Sequence, residues 1–424
     1  MNQNMKIWIL QTAEPVHSDL GSPRPMRAMN LANKLIENQF KVRIWTSDFL
    51  HQEKRHRTKT FSEYQISRNL TINLIPSNGY EKHISISRLH DHFILSRNLK
   101  KALLKITELP DLVFIGYPPI ETAYVMMKWL KKRNIPYVLD VKDQWPVIFY
   151  QRMNFFIKPF AFFMSLPYIS VSKSIFKNAI AISSISDGFL NWSIDYGNRI
   201  RTEIDLVTPL TSPTIIYNEH EIKESINWWV DQGVKVNKNF KIIFVGSMSK
   251  VFNFDVIFDA CNLLDDKKMA YEFIICGDGE LRPYILLKAK QYPRVKVIKW
   301  INHKKMFTLS KIASAYIAPY NNTPDFKISI PNKIIDACKF GLPILTSLEG
   351  DVSNLINSKK IGMTFNDGRS LSESIEELIG NQKKYEIFSE NSINTYRKLF
   401  DSNIVYQECV KNLNKIINGD KRVN

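Results

Sequence analysis

Lys333 and Asp336 stand three positions apart in the stretch 328–347, ISIPNKIIDACKFGLPILTS. Pro331 suits a first helical turn, where its missing N–H costs nothing. Gly341 suits the position just past a helix end, and Pro343 blocks continuation. Ser329 is placed to cap the start. The spacing predicts a short helix over 331–340 whose free N–H groups and positive dipole end point out of the preceding loop, an arrangement that binds phosphate. Lys333 falls in the first turns, with Asp336 on the same face. Asp336 then lies about 6–8 Å from the helix start, roughly the reach from a nucleotide's diphosphate to its ribose hydroxyls. A carboxylate there accepts two vicinal O–H bonds. An ordinary capped helix with an i,i+3 ion pair uses the same residues, and the stretch alone leaves both readings open.

Other residues of chemical type gather at strand ends. Gly277, Asp278 and Gly279 follow an apolar run, but a dinucleotide fingerprint requires a glycine where Arg282 stands. Those glycines either let the chain turn close to a ligand or make a plain strand–helix turn. Gly246, Ser247 and Lys250 end another run, with Lys250, Lys327 or Lys333 available to meet phosphate charge. Asp140 and Asp143 end a strand of the first half. Either is placed to deprotonate an acceptor hydroxyl, or to cap the segment that follows. His17, in the loop after the first strand, is a second base candidate or simply a solvated loop residue. No HExxH or similar ligand set occurs, so no metal ligand is expected.

Apolar runs alternate with helical patterns along the chain. Strands are expected at 6–11, 42–46, 71–75, 112–116, 137–141 and 179–182. In the second half they are expected at 241–245, 272–276, 295–300, 315–318 and 343–346. Helical patterns occupy 26–38, 219–232, 254–264, 280–291, 304–312, 331–340 and 383–417. Wholly apolar strands alternating with helices mean parallel sheets covered on both faces. The expected division is a Rossmann-like domain at 1–212, a linker at 213–239, a second Rossmann-like domain at 240–382, and a helical segment at 383–424 packing back across a cleft between the two. Ligands of such sheets bind at the strand C-termini.

PNKIIDACKFGLP resembles the donor segment of GT-B glycosyltransferases of family 4, with Asp336 where that family usually has glutamate. IIFVGSM (242–248), FIICGDGELRPYI (273–285), VKVIKWINHKKM (295–306) and AYIAPYNN (315–322) resemble further landmarks in family order. VLDVKDQWP (138–146) resembles an Arg-Asp-x-Trp-Pro element of members that build bacterial surface polysaccharides, with Lys142 in place of the arginine. GSPRPMRAMNLANKL (21–35) resembles the first glycine loop and helix.

The resemblance implies a retaining, metal-independent transferase with a nucleotide-diphosphate sugar as substrate and no cofactor. It implies a lipid-linked oligosaccharide acceptor and a capsule or O-antigen type of product. Gly246, Ser247, Lys250, Gly277, Asp278, Gly279, Lys327, Ser329, Pro331, Asn332, Lys333 and Asp336 would hold the donor, with Trp300 and Ile301 beside the base. Gly21, Ser22, His17 and Asp140 would meet the acceptor, with Asp143 and Lys250 catalytic. Ser247 replaces the arginine usual in relatives. That departure suggests a non-catalytic partner subunit as one alternative; a GT-B sugar-nucleotide epimerase is another.

The 424 residues carry 58 Lys and Arg against 41 Asp and Glu, a net charge of +17, which favours anionic partners. Nucleic acid is not expected: the basic residues are scattered, and most aromatics sit in core-like runs. Residues 144–186, however, contain no Asp or Glu and mix many aromatics with Arg152, Lys158, Lys173 and Lys177. That stretch reads either as an interfacial segment on an anionic membrane surface or as a buried helix pair. Cys261, Cys276, Cys338 and Cys409 form no CxxC pair and suit buried thiols of a reducing compartment. With no run of ~18 apolar residues and no signal-peptide pattern, the expected location is cytoplasmic, on the inner face of the plasma membrane.

Overall fold

A computed structural model describes residues 5–20, 25–51, 53–81, 85–151, 153–212, 217–237 and 239–420. Contacts divide the chain into two units, residues 1–211 with 402–424, and residues 212–401.

The first unit holds β1 (Lys6–Leu10), β2 (Lys41–Ser47), β3 (Phe49–Leu50), β4 (Arg55–His56), β5 (Ser62–Ser67), β6 (Leu70–Ile75), β7 (Leu112–Tyr117), β8 (Tyr137–Val141), β9 (Ala181–Ser184) and β10 (Leu206–Val207). Eight of these form one sheet in the order β10-β9-β8-β7-β1-β2-β6-β5, while β3 and β4 pair separately. Every ladder of the large sheet is parallel except β5 with β6. The chain leaves β1 toward β2 and β6, then returns to place β7 on the other side of β1. The order therefore reverses between β1 and β7, where ligands of such sheets bind.

Alternate side chains of the central strands enter opposite cores. On one face Ile7, Ile9 and Ile44 meet Leu31 and Leu35 of the helix Arg27–Glu37, together with Tyr406, Cys409 and Leu413 of the helix Ser402–Asp420. On the other, Trp8 packs against Trp45 and Trp129 at ring separations of 5.3 and 5.5 Å, among Leu95 and Leu99 of the helix Ile86–Leu103.

The second unit holds β11 (Phe240–Val245), β12 (Tyr271–Cys276), β13 (Val295–Ile298), β14 (Ala315–Ala318), β15 (Ile344–Thr346) and β16 (Gly362–Thr364), ordered β13-β12-β11-β14-β15-β16. All ladders are parallel, and the order reverses between β11 and β14.

Two expected boundaries differ from the structure. The helix Glu219–Asp231 is part of the second unit: Trp229 is fully buried and its indole N–H donates to Thr308 Oγ1 at 3.0 Å. Part of the expected linker is therefore folded. The terminal helical segment is shared. Gln382–Thr395 and the π-turn Tyr396–Phe400 belong to the second unit, and Ser402–Asp420 to the first.

Candidate active site

The short helix of the second unit runs Asn332–Phe340. Pro331 is its N-cap with φ −68° and ψ 154°, so the helix begins one position later than the sequence suggested. Ser329 is not the cap; its hydroxyl is turned back to the Phe326 carbonyl at 3.4 Å. The N-cap Pro331 offers no side-chain cap to the helix start, and Asn332 there is exposed. Gly341 ends the helix in the left-handed conformation, φ 67°, as its spacing predicted.

Lys333 turns from the first turn of this helix to the end of β11. Its Nζ donates to the Val245 carbonyl at 2.6 Å, which also accepts the Tyr316 hydroxyl at 3.1 Å. The ammonium lies 4.5 Å from the Phe244 ring centre and 5.1 Å from that of Phe252. Burial pushes its pKa down to about 8, with Asp336 pulling the other way. An ammonium has three N–H donors, and among the described residues the Val245 carbonyl takes one. Asp336 is turned inward, 8% exposed. Burial first, then its negative charge, pushes up the pKa values of Tyr316 and Tyr320.

The glycines answer a close approach of three loops. A Cβ on Gly246 would stand 1.9 Å from Lys333 Nζ, and one on Gly277 would stand 1.8 Å from the Gly246 carbonyl oxygen. Both have positive φ, 146° and 153°. The Met248 N–H donates to the Asp278 carbonyl at 2.8 Å, and the Gly279 N–H to Asp278 Oδ1 at 2.8 Å. Gly246, Gly277 and Lys333 are thus one cluster at the switch point of the second sheet.

Lys250 sits apart from Lys333. Its side chain is largely exposed and its Nζ lies 3.6 Å from Glu280. Ser247 is exposed, and Lys327 pairs with Glu349 at 2.7 Å. Trp300 is exposed just beyond β13, and Ile301 is buried beside it.

In the first unit, Asp140 is not available as a base. It is 1% exposed and held by Arg27 through Nε at 2.9 Å and by the Ser183 hydroxyl at 2.9 Å. It anchors the helix Arg27–Glu37 to the end of β8. His17 hydrogen-bonds Asn33 at 2.7 Å. Gly21 and Ser22 lie outside the described residues. Asp143, by contrast, lines a cavity of about 200 Å³ at the switch point of the first sheet. Gln11, Thr12, Ser47, Pro118 and Lys142, at the ends of β1, β2, β7 and β8, also line it. Lys142 is paired with Glu14 at 3.0 Å, and Glu14 also accepts the Ala28 N–H at 2.9 Å.

The other wall went unread in the sequence: His51, Tyr80, Arg88 and His92. The one available signal was the i,i+4 spacing of Arg88 and His92 within SRLHDHF. Also among the described residues, no helix is long and apolar enough to cross a membrane. The four cysteines are free and buried.

Two parallel α/β units, each with its candidate site where the strand order reverses, define the GT-B fold. Residues 226–395 match the family model described as Glycosyl transferases group 1. Among solved structures, sucrose-phosphate synthase from Thermosynechococcus elongatus is similar over 98% of this chain and 100% of its own, at 12% identity and TM-score 0.71. HepE of Anabaena in complex with UDP-glucose is similar over 97% and 100%, at 14% identity and TM-score 0.64. WaaG, a glycosyltransferase involved in lipopolysaccharide biosynthesis, is similar over 98% and 100%, at 14% identity and TM-score 0.62. No curated protein matches the chain.

Proposed function

We propose that the protein is a retaining glycosyltransferase that moves a sugar from a nucleotide-diphosphate donor to a lipid-linked glycan in bacterial surface polysaccharide synthesis. The observation that carries the transferase reading is the Gly246–Lys333 cluster beneath an uncapped helix start, with Asp336 inward one turn deeper. In this reading Lys333 and the N–H groups at 332–333 meet the diphosphate, and Asp336 accepts the ribose hydroxyls. Trp300 and Ile301 flank the base. The match of residues 226–395 to group 1 glycosyl transferases supports a donor site in this unit. HepE, similar in fold, is described in complex with UDP-glucose.

In the reaction, an acceptor oxygen bonds to the anomeric carbon as the bond from that carbon to the diphosphate breaks. The acceptor proton passes to Asp143, and protein cations rather than a resident metal meet the charge on the departing diphosphate. Positioning and electrostatics supply the catalysis.

A membrane-bound acceptor is supported by a surface of the first unit. Phe155, Phe156, Phe160, Phe163 and Met164 are 82, 89, 67, 69 and 59% exposed, against the expectation that a buried helix pair would cover them. Phe160, Phe163 and Met164 follow helical spacing on Lys158–Asn178, with Lys158, Lys173 and Lys177 on the same element. Aromatics and lysines without any acid fit an anionic bilayer surface, and the proposed location is the inner face of the plasma membrane.

The test is a thermal-shift panel of UDP, GDP, ADP and CMP and their sugars. A selective rise with one diphosphate, largely lost in Asp336→Ala, is the expected result. No rise with any of them overturns the donor assignment. Interconversion of a sugar nucleotide without an acceptor would instead point to an epimerase.

A further inference from the structure

We propose that the cavity of the first unit is an anion site that takes a phosphoryl group of the acceptor, gripped by Arg88, with Lys54 adding its charge from beside the Tyr80 ring. The identity of that ligand as acceptor rests on the glycosyltransferase reading; the anion site itself does not.

Four cationic or protonatable groups converge on one phenol. The Arg88 guanidinium lies 5.5 Å and the Lys54 ammonium 4.6 Å from the Tyr80 ring centre. His51 Nδ1 is 2.5 Å from the Tyr80 hydroxyl, and the His92 ring stands edge-on to Tyr80 at 6.3 Å. Arg88, His51 and His92 line the cavity directly. Among the described residues, Lys54 Nζ is buried without a hydrogen-bond partner, although an ammonium has three donors to satisfy.

The like charges strain one another. Burial and then Arg88 push the Lys54 ammonium below its ordinary pKa. Burial, with Arg88 and His51 adding to it, pushes His92 down to about 4. The nearby acids are turned to other work or weakened. Asp91 accepts the Gly79 N–H at 2.6 Å. Glu121 lies 3.7 Å from His92, and burial raises its own pKa. Asp143 and Lys142 line the same cavity, with Lys142 paired to Glu14.

A bound anion relieves this crowding. Pro118 and Pro119 line the cavity without any N–H of their own, and the helix that follows, Ile120–Lys131, carries Glu121 in its first turn. Guanidinium and ammonium groups match phosphate oxygens. Asp143, which lines the same cavity, would then meet a hydroxyl of the same molecule.

Two sources share this chemistry, a soluble sugar phosphate and an isoprenoid diphosphate. The experiment titrates the full-length protein calorimetrically with inorganic pyrophosphate. The second unit is first saturated with whichever nucleoside diphosphate stabilises it. Losing a charged partner weakens such binding roughly ten- to a hundredfold, so Arg88→Ala should weaken pyrophosphate by that factor, and Lys54→Ala by several-fold. Nucleotide affinity should stay unchanged in both variants.

Farnesyl diphosphate in vesicles and glucose 1-phosphate in solution form the second arm. Tighter binding of either supports the site and identifies the source. Wild-type affinity in both variants, or no pyrophosphate binding at millimolar concentration, overturns the proposal. If no nucleotide binds, the donor assignment fails separately, and the pyrophosphate titration still decides the anion site.

Discussion

The Gly246 backbone and the Lys333 ammonium occupy one space: a Cβ at position 246 would stand 1.9 Å from Lys333 Nζ. Gly246→Ala therefore displaces Lys333 from the Val245 carbonyl. It also puts a side chain on a backbone with φ 146°, a strain of about 1–3 kcal/mol. Nucleotide affinity, measured calorimetrically, should fall roughly tenfold or more for the loss of one charged contact. An unchanged affinity would remove Lys333 from the donor site.

Proton linkage at Lys333 has a defined sign. Its pKa falls from 10.5 to about 8 in the folded, ligand-free protein. Between those values the unfolded chain holds the proton and the folded chain does not. The Lys333 contribution to stability therefore rises as pH rises from about 8 toward 10.5. Diphosphate binding runs the other way: it needs the charged ammonium, so affinity should weaken above pH 8. Lys333→Met should flatten both trends, and urea denaturation with binding isotherms across that range reads them.

If Asp336 accepts ribose hydroxyls, the wild-type protein should prefer a ribonucleotide to its 2′,3′-dideoxy counterpart by roughly tenfold or more. Asp336→Ala should bind the two alike. Equal affinities already in the wild type would refute the assignment.

For the exposed aromatics of 155–164, the triple change Phe156→Ser, Phe160→Ser and Phe163→Ser should abolish co-sedimentation with phosphatidylglycerol vesicles and leave nucleotide binding intact. Raising salt should weaken the wild-type interaction, since Lys158, Lys173 and Lys177 contribute charge attraction. Equal binding to zwitterionic vesicles would contradict the electrostatic part.

Asp140→Ala leaves Arg27 buried and without its carboxylate, a loss of about 3–5 kcal/mol. The measured midpoint of chemical denaturation should fall accordingly. A paired Arg27→Met, Asp140→Leu protein should recover much of it. Recovery would mark the pair as architectural and separate it from the chemistry proposed for Asp143.

The parallel sheets were legible because their strands are short apolar runs such as LVFIG and EFIIC, buried on both faces. Errors fell where another element claimed the residues. The helix Lys158–Asn178 runs far enough that the next strand begins at Ala181 rather than 179. Lys299 and Trp300 leave the ladder, so β13 stops at Ile298. The short helix Asn332–Phe340 was readable from its prolines and glycine, whereas the contact of Lys333 with Val245 joins positions 88 apart and leaves no local trace. The Arg88–His92 wall was missed because its helix buries Asp91 and Ser96 alongside leucines, which blurs the apolar stripe.

The helix Ser402–Asp420 completes the core around Ile7, Ile9 and Ile44 only after residues 212–401 have been made. At ribosomal speeds that interval is on the order of ten seconds or more. Throughout it, the nascent amino-terminal domain displays the apolar patch that Tyr406, Cys409 and Leu413 will later seal. The inserted domain can mature on its own schedule, while its host waits, open to chaperones, for this later helix to arrive.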